Sequence, residues 1–206
     1  RCGTGLSDHE LAQGYEDIID ASVFVRFPVT SSALTEKYPN IALLVWTTTP
    51  WTLVSNTAVA VNGSVDYVVA KKDDEFFVIA EGLRERVLGE DSTVVETIAG
   101  RDLEGIKYQR PFDWVEFTET PDALHSVLLA DYVTTEDGTG IVHQAPAFGA
   151  DDLITCRAYG LPVVNPVLPD GTFNADVPHV GGVFFKTADP TLVEILQANG
   201  LLFAHV

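Results

Sequence analysis

The chain has 206 residues, 46% of them hydrophobic and 20% charged, a composition that fills one packed core and excludes a disordered chain. Its 12 basic and 30 acidic residues leave a net charge of −18, which argues against tight binding of nucleic acid or anionic membranes and favours a small neutral or cationic ligand. No apolar run reaches the ~20 residues of a membrane span, and Cys2 and Cys156 are too few for a disulfide framework or a four-ligand zinc site, as expected for a soluble protein of the reducing cytoplasm.

Along the first half of the chain the pattern predicts mostly short strands. Ser7, with Glu10 three residues later, forms a capping box and predicts a short helix. Strands are predicted at 21–29, 41–46, 57–61, 66–71 and 75–79, where β-branched and aromatic residues cluster between turn signals such as Asn62-Gly63. Pro28 has no backbone N–H to donate, so the first of these strands is predicted to lie at a sheet edge.

The second half adds helices to this pattern. A helix at 83–88 is expected to end at Gly89, and further strands are predicted at 93–98, 126–133 and 139–143. Asp137-Gly138 is predicted to be the turn of a hairpin that joins the last two strands. A helix is expected at 151–159, and the last helix is expected to start with Asp189 as its cap and Pro190 in its first turn, before a terminal strand at 201–206.

Short strands outnumber the helices in this prediction and do not alternate with them regularly. A doubly wound parallel sheet is therefore not expected. The predicted fold class is mainly β (α+β), with a closed or nearly closed β-barrel core decorated by several short helices.

The first segment with unusual chemistry is rich in threonine. Thr47, Thr48, Thr49 and Thr52 follow directly on an apolar strand, and Pro50 among them must end or distort that strand. Their hydroxyl groups would then face a cavity, where they could hold an ester, a ribose hydroxyl or a water molecule. From composition alone an exposed, threonine-rich strand end remains the more common interpretation.

The second segment runs from Gly138 to Asp152. His143 lies at the end of a predicted strand. A loop with proline and glycine follows, and a helix is predicted to begin near Asp151 and Asp152. Taken singly, such a histidine is more often structural than catalytic, and an aspartate at a helix start is more often a cap. Their concentration on one constrained loop favours a functional site.

These two segments carry a resemblance to a known family. The run from Val45 to Leu53, with Ser55-Asn56-Thr57-Ala58, resembles the threonine-rich signature of the editing domain (connective peptide 1, CP1) of isoleucyl-tRNA synthetases, and 138–152 resembles its second signature. The related valyl and leucyl enzymes carry Thr-Thr-Arg-Pro where this chain has Thr-Thr-Thr-Pro. The resemblance covers nearly the whole chain and, with the absence of Met, implies a single editing domain, 1–206, that is part of a larger class I synthetase.

The resemblance implies a hydrolytic proofreading function. The domain would deacylate mischarged Val-tRNA(Ile), help to clear valyl-adenylate and reject isoleucine by size. Its implied partners are the tRNA(Ile) 3′ end carrying valine, valyl-adenylate and the rest of the synthetase chain, with no membrane. No cofactor or metal is expected in this domain, although the parent synthetase uses ATP and Mg²⁺.

The site roles that the resemblance implies are carried over position by position. Asp152 would pair with the α-ammonium group of the aminoacyl ester, and His143 would limit the size of the side-chain pocket. Asn56 would orient the other site residues, and Trp51 would form a wall of the adenosine pocket. The ester, the terminal ribose and the attacking water would be held by Thr47, Thr48, Thr49 and Thr52. The implied catalytic residues are Thr48, Thr49 and Asp152, and the general base stays open.

The same residues bear on other function classes. The sequence lacks the Gly-x-Ser-x-Gly motif of a serine hydrolase, and its five histidines are too scattered for a metal hydrolase. A Cys156–His143 pair would place the thiol within a predicted helix rather than at its start. The main alternative is a non-catalytic module that binds an amino acid or a nucleoside.

Overall fold

The computed structural model describes residues 22–206, so the helix predicted from Ser7 lies outside the described residues. The strands are β1 (Val23–Ser31), β2 (Ala42–Thr47), β3 (Ala58–Val61), β4 (Asp66–Lys72), β5 (Glu75–Ala80), β6 (Thr93–Ala99), β7 (Lys107–Tyr108), β8 (Val127–Leu129), β9 (Val142–Gln144) and β10 (Leu202–His205). The α-helices are α1 (Ala33–Lys37), α2 (Arg84–Leu88), α3 (Ala150–Ala158) and α4 (Phe185–Ala198). Three 3-10 helices, Pro50–Ser55, Glu81–Leu83 and Gly100–Leu103, connect them.

The strands form two sheets. The larger sheet has seven strands in the order β10-β1-β2-β5-β4-β6, with β7 paired to the far end of β1. Its pairs are antiparallel except β2 with β5, which run parallel. In the smaller sheet β3 lies between β8, to which it is parallel, and β9, to which it is antiparallel. All side chains of β3 are buried, as a central strand between packed layers requires.

The larger sheet is open, so the predicted closed or nearly closed barrel is wrong. Within residues 22–206, β10 and β6 end the larger sheet and do not pair with each other. Val94 and Val95 of β6 are 45% and 43% exposed, as is typical of a strand at a free edge. Residue alternation predicts strands but not which edges meet, and closure depends on that pairing.

Pro28 does not mark an edge strand, because β1 lies inside the larger sheet. One side of β1 pairs with β2 along its length, whereas the other side pairs first with β10, at Val23–Val25, and then with β7, from Val29. Pro28 falls in the gap between these two partners, and its carbonyl accepts a hydrogen bond from the Gln109 N–H at 2.8 Å. A proline is tolerated there because no neighbouring carbonyl needs its missing N–H.

The predicted hairpin around Asp137-Gly138 is also wrong, because β8 and β9 lie on opposite sides of β3. The predicted strand 126–133 is shortened to Val127–Leu129, and the chain then crosses to the larger sheet. There Gly138 has φ +70° and packs on Trp46, where an added Cβ would lie 2.7 Å from the indole. The Tyr67 hydroxyl donates to the Gly140 carbonyl at 2.6 Å and fixes the crossing segment.

The last helix begins earlier than predicted. Helix α4 starts at Phe185 rather than at Asp189, and it contains Pro190. The Phe184 carbonyl accepts hydrogen bonds from the N–H groups of Thr187 and Ala188, so the first turn closes ahead of the proline. Asp189 does not cap this helix; its carboxylate accepts from the Trp51 N–H instead. None of the helices in the described part of the chain is long and apolar enough to cross a membrane.

Candidate active site

A cavity of about 400 Å³ lies where β2 ends, beside β9 and the start of α3. Pro50 ends the extended run after β2 and starts the 3-10 helix Pro50–Ser55, as predicted. The helix turns the threonines that flank it toward the cavity. The lining residues are Trp46, Thr47, Thr48, Thr49, Trp51, Thr52, Val142, His143, Ala145, Phe148, Gly149 and Asp152. The structure thus brings together every predicted site residue except Asn56 in one cavity wall.

Three of the four threonines hold one another. The Thr49 N–H donates to Thr47 Oγ1 at 3.1 Å, and Thr49 Oγ1 lies 3.2 Å from Thr47 Oγ1 and 3.1 Å from Thr52 Oγ1. Thr52 Oγ1 donates to the Thr49 carbonyl at 2.8 Å. Because these hydroxyls have partners in the protein, they fix the shape of the wall.

Thr48 differs from its neighbours. Its side chain is exposed at the cavity, and within residues 22–206 its hydroxyl makes no hydrogen bond. Among the four threonines it is therefore the one whose hydroxyl is available to a ligand.

His143 is held on both sides of its ring. Nε2 lies 2.7 Å from Thr52 Oγ1, and Nδ1 lies 3.4 Å from Asn56 Nδ2. Since the Asn56 amide donates, Nδ1 accepts and Nε2–H donates to Thr52. Burial lowers the pKa of His143 to about 4, so the imidazole is neutral at physiological pH.

Asn56 lies behind the cavity wall rather than in it. It is fully buried, its Nδ2 donates to the Ala58 carbonyl at 2.9 Å, and its Oδ1 accepts from the Tyr108 hydroxyl at 2.7 Å. These bonds fix the amide that faces His143. Asn56 is placed to orient the histidine and not to contact a ligand in the cavity.

Asp152 stands in the first turn of α3 and also lines the cavity. Its Oδ2 accepts from the Ala145 N–H at 2.9 Å, and its Oδ1 lies 3.4 Å from the Tyr132 hydroxyl. Partial burial raises the pKa of the Asp152 carboxyl, and these two hydrogen bonds act in the opposite direction. The helix N-terminus also favours the ionised form.

Trp51 belongs to an aromatic cluster at the rim. Its ring centroid lies 4.6 Å from that of Phe148 and 4.4 Å from that of Phe185. The rings of Trp51 and Phe148 line both this cavity and a second cavity of about 560 Å³. Phe184 and Phe185 also line the second cavity. The rim therefore offers flat apolar surfaces to the part of a ligand that extends out of the cavity.

The surroundings of Cys156 do not favour the cysteine alternative. Cys156 is fully buried within α3, and burial raises the pKa of its thiol to about 12, so it stays protonated at neutral pH. Between residues 22 and 206 no group of three or more His, Cys, Asp or Glu side chains is placed to hold a metal ion.

The comparisons with known proteins identify the family. The chain matches no family model. It is 62% identical over 207 residues to the isoleucine–tRNA ligase of Streptomyces coelicolor, a match that covers 100% of this chain and 19% of that protein. It is 45% identical over 206 residues to the Thermus thermophilus enzyme, with 98% and 19% covered. The chain belongs to the isoleucine–tRNA ligase family. It spans about a fifth of the length of these relatives.

Solved structures share the fold of this isoleucine–tRNA ligase segment at low sequence identity. The CP1 domain of the leucyl-tRNA synthetase named GlLeuRS superposes with a TM-score of 0.69 at 15% identity, over 89% of this chain and 96% of that one. The editing domain of the P. knowlesi cytosolic leucyl-tRNA synthetase gives a TM-score of 0.65 at 13% identity, over 93% and 98%. The segment therefore has the α+β fold of CP1 editing domains.

Sequence reasoning missed two residues beside Asp152. Tyr132 fell within a predicted strand, and no signal in the sequence pointed its hydroxyl at a carboxylate 20 positions later. Gly149 lay inside the second signature, but its role emerges only in three dimensions. A Cβ added there would lie 2.7 Å from the carboxylate carbon of Asp152.

Proposed function

We propose that this chain is the editing domain of an isoleucine–tRNA ligase and that it hydrolyses the ester of Val-tRNA(Ile). The observation that carries the proposal is one small cavity lined by a carboxylate, an anchored imidazole and a free threonine hydroxyl. An aminoacyl ester has the matching groups: an ammonium, an aliphatic side chain and an ester carbonyl.

Asp152 supplies the counterion for the α-ammonium group. Its carboxylate lines the cavity with one oxygen fixed by the Ala145 N–H, so it offers negative charge in a defined direction. Partial burial makes an unpaired charge there costly, and a bound ammonium removes that cost. The ion pair both holds the ester and orients its carbonyl carbon.

His143 limits the size of the side chain that enters. The need for a second site is chemical: an apolar pocket gains only ~1–3 kcal/mol from one methylene, and isoleucine against valine is the standard example of this limit. A hydrolytic site must therefore admit valine and exclude isoleucine. His143 is suited to that role because Thr52 and Asn56 hold its ring on both sides, so it cannot swing aside without losing both bonds.

Water is the proposed nucleophile. It adds to the ester carbonyl carbon, and the tetrahedral intermediate collapses with release of the ribose oxygen, which takes up a proton, to give valine and free tRNA. Thr48, whose hydroxyl is free, would hold the water or the carbonyl oxygen, and Thr49 would keep the wall beside it in shape through its bonds to Thr47 and Thr52. His143 does not act as the base, because both its ring nitrogens are engaged and its pKa is about 4. The free ribose hydroxyl of the substrate remains the candidate that assists the water.

The proposed partners follow from this reaction. They are the valine-carrying 3′ end of tRNA(Ile), whose terminal adenosine would lie against Trp51, valyl-adenylate, and the rest of the ligase chain. The hydrolysis requires no cofactor from this domain, whereas ATP and Mg²⁺ serve the ligation reaction elsewhere in the enzyme.

A hydrolysis assay distinguishes the proposal from a non-catalytic binding module. Val-tRNA(Ile), Ile-tRNA(Ile) and the valyl ester of adenosine are incubated with the chain and with the full ligase, and released amino acid is measured against buffer. We expect the valyl esters to be cleaved well above the buffer rate and Ile-tRNA(Ile) to be spared. Binding of the valyl ester without any release above buffer, in both proteins, would establish the binding module instead.

A further inference from the structure

Tyr132 lies beside the cavity but outside both sequence signatures. Its hydroxyl is 2.9 Å from Gln144 Oε1 and 3.4 Å from Asp152 Oδ1. We propose that Tyr132 is a positioning residue of the editing site, whose single hydroxyl proton is shared between Gln144 and Asp152 and so sets the orientation and acidity of the Asp152 carboxylate. The inference rests on the proposed function only for its effect on catalysis.

The backbone holds Tyr132 in place on both sides. The Asn62 side-chain amide donates to the carbonyl of Asp131 at 3.2 Å and to that of Val133 at 3.0 Å, which are the two neighbours of Tyr132. The Ala130 N–H also donates to the Val61 carbonyl at 2.9 Å, which ties this turn to the end of β3. The hydroxyl therefore reaches Asp152 from a fixed position and not from a mobile loop.

A phenol has one proton and faces two acceptors here. The shorter distance favours Gln144, whose side chain is fully buried and whose Nε2 lies 3.4 Å from two backbone carbonyls. The longer contact leaves Asp152 with a partial share of the proton. Removing the hydroxyl and removing the competing acceptor must therefore change the acidity of Asp152 in opposite directions.

The other charged and titratable groups around Asp152 are few. Asp151 precedes it on α3 and raises its pKa, and His143, which lines the same cavity, is neutral. Cys156, one turn along the helix, stays a thiol, and its own pKa is raised by burial and by Asp152. Tyr132 is thus the neutral side-chain donor that opposes the effect of burial on Asp152.

The test measures the acidity of Asp152 directly in the 206-residue protein. Aspartate carboxyl carbons are labelled with ¹³C, and their chemical shifts are followed against pH, with Asp152→Asn to assign the signal. Tyr132→Phe should raise the pKa of Asp152 by about 0.5 to 1 unit, because it removes a donor to the ionised form. Gln144→Met should lower it, because the proton is then left to Asp152 alone. Tyr159→Phe is the matched control, since that hydroxyl donates to Glu104 and should leave Asp152 unchanged.

Catalysis gives a second readout that a merely structural role would not move. In Tyr132→Phe the acid limb of the pH profile of kcat/KM for the valyl ester should shift upward by the same amount. The alkaline limb, set by loss of the α-ammonium proton near pH ~8, should stay in place.

The outcomes separate the inference from the proposed function. An unchanged Asp152 titration in folded Tyr132→Phe overturns the inference whether or not the protein hydrolyses esters. A shift in the same direction for Tyr132→Phe and Gln144→Met overturns the shared proton. Absence of ester hydrolysis by the wild type overturns the proposed function and leaves the titration test of Tyr132 intact.

Discussion

In the proposed site, His143 and Asp152 have different roles, one as a neutral group and the other as a charged one. The imidazole has a partner at each ring nitrogen and a pKa of about 4, so it would act through volume and position. The carboxylate would act through charge, and it needs a neighbour that leaves it room. Gly149 meets that need, because its φ of −113° suits any residue and the atoms nearest to an added Cβ there are those of the Asp152 carboxylate.

We expect His143→Ala to relax the size limit. The variant opens the cavity wall, and the valine-over-isoleucine ratio of kcat/KM should fall about 10- to 100-fold, the equivalent of an overpacking cost of ~1–3 kcal/mol. Hydrolysis of Val-tRNA(Ile) and Ile-tRNA(Ile) is compared in the variant and in His205→Ala, an exposed histidine on β10 that should leave the ratio unchanged. If Ile-tRNA(Ile) stays protected in His143→Ala, another residue sets the limit.

Gly149→Ala should displace the carboxylate of Asp152 with little effect on the fold. A new methyl group would approach the carboxylate to within 2.7 Å, so the side chain must move. A shift of about 1 Å in a positioning group costs on the order of 10- to 100-fold in kcat/KM, whereas alanine in place of glycine at this helix cap costs less than about 1 kcal/mol of stability. Gly82→Ala is the control, because a Cβ there has no neighbour within 4 Å. Equal activity of the two variants would remove Gly149 from the argument.

At the scale of elements, helix α4 stabilises the threonine-rich segment. The N-cap position of the 3-10 helix, Thr49, makes no side-chain capping bond, and the free N–H of Trp51 is instead capped by Asp189 of α4 at 2.9 Å. Lys186, one turn earlier on α4, lies 3.3 Å from the other oxygen of the same carboxylate. A residue distant in sequence thus performs the task of a local cap.

Asp189→Ala should therefore loosen the Pro50–Ser55 segment without unfolding the domain. The loss of a cap costs ~0.5–2 kcal/mol, and we expect a drop of that order in the free energy of unfolding by denaturant. Amide hydrogen exchange at Trp51 should rise more than at Leu192, which is buried in the same helix as Asp189. Uniform exchange along both segments would show that Asp189 merely stabilises α4.

The sequence predicted the positions of the strands and helices better than it predicted which of them contact one another. Alternation and turn signals located most strands, and Pro50 correctly marked the end of β2 because a missing donor acts locally. The helix start predicted from Asp189 and Pro190 was wrong because it depends on distant contacts. The first turn of α4 closes on the Phe184 carbonyl, and Asp189 accepts a hydrogen bond from the Trp51 N–H instead. The threonines and Asp152 could be found because they lie in contiguous motifs. Tyr132 could not, since its role depends on which strands flank β3.

The whole molecule carries a net charge of −18, yet its proposed substrate is a polyanion. If the chain acts on tRNA as proposed, its 12 basic residues among 206 are too few for most of the phosphate contacts, which would then come from other parts of the ligase. The cavity itself would need none, because in the proposed binding mode Asp152 pairs with a cation and the threonines contact neutral groups.

The chain alone should accordingly bind tRNA weakly, with a shallow dependence on salt. Few cations mean few released counterions, so the slope of log K against log salt should correspond to at most about two or three phosphate contacts. The valyl ester of adenosine should bind almost as tightly as Val-tRNA(Ile). The measurement is a salt titration of binding for both ligands. Much tighter binding of whole tRNA, with a steep slope, would show that the domain has its own RNA surface.

The proposed function depends above all on the pairing of Asp152 with the α-ammonium group, which a substrate without an amino group isolates. Wild type and Asp152→Asn are assayed for hydrolysis of the valyl ester of adenosine and of the 3-methylbutanoyl ester, which has the same side chain but no amino group. We expect Asp152→Asn to lose at least about 100-fold on the valyl ester, to keep its thermal unfolding midpoint, and to match the wild type on the ester without the ammonium. Hydrolysis of the valyl ester by folded Asp152→Asn at the wild-type rate would contradict that pairing.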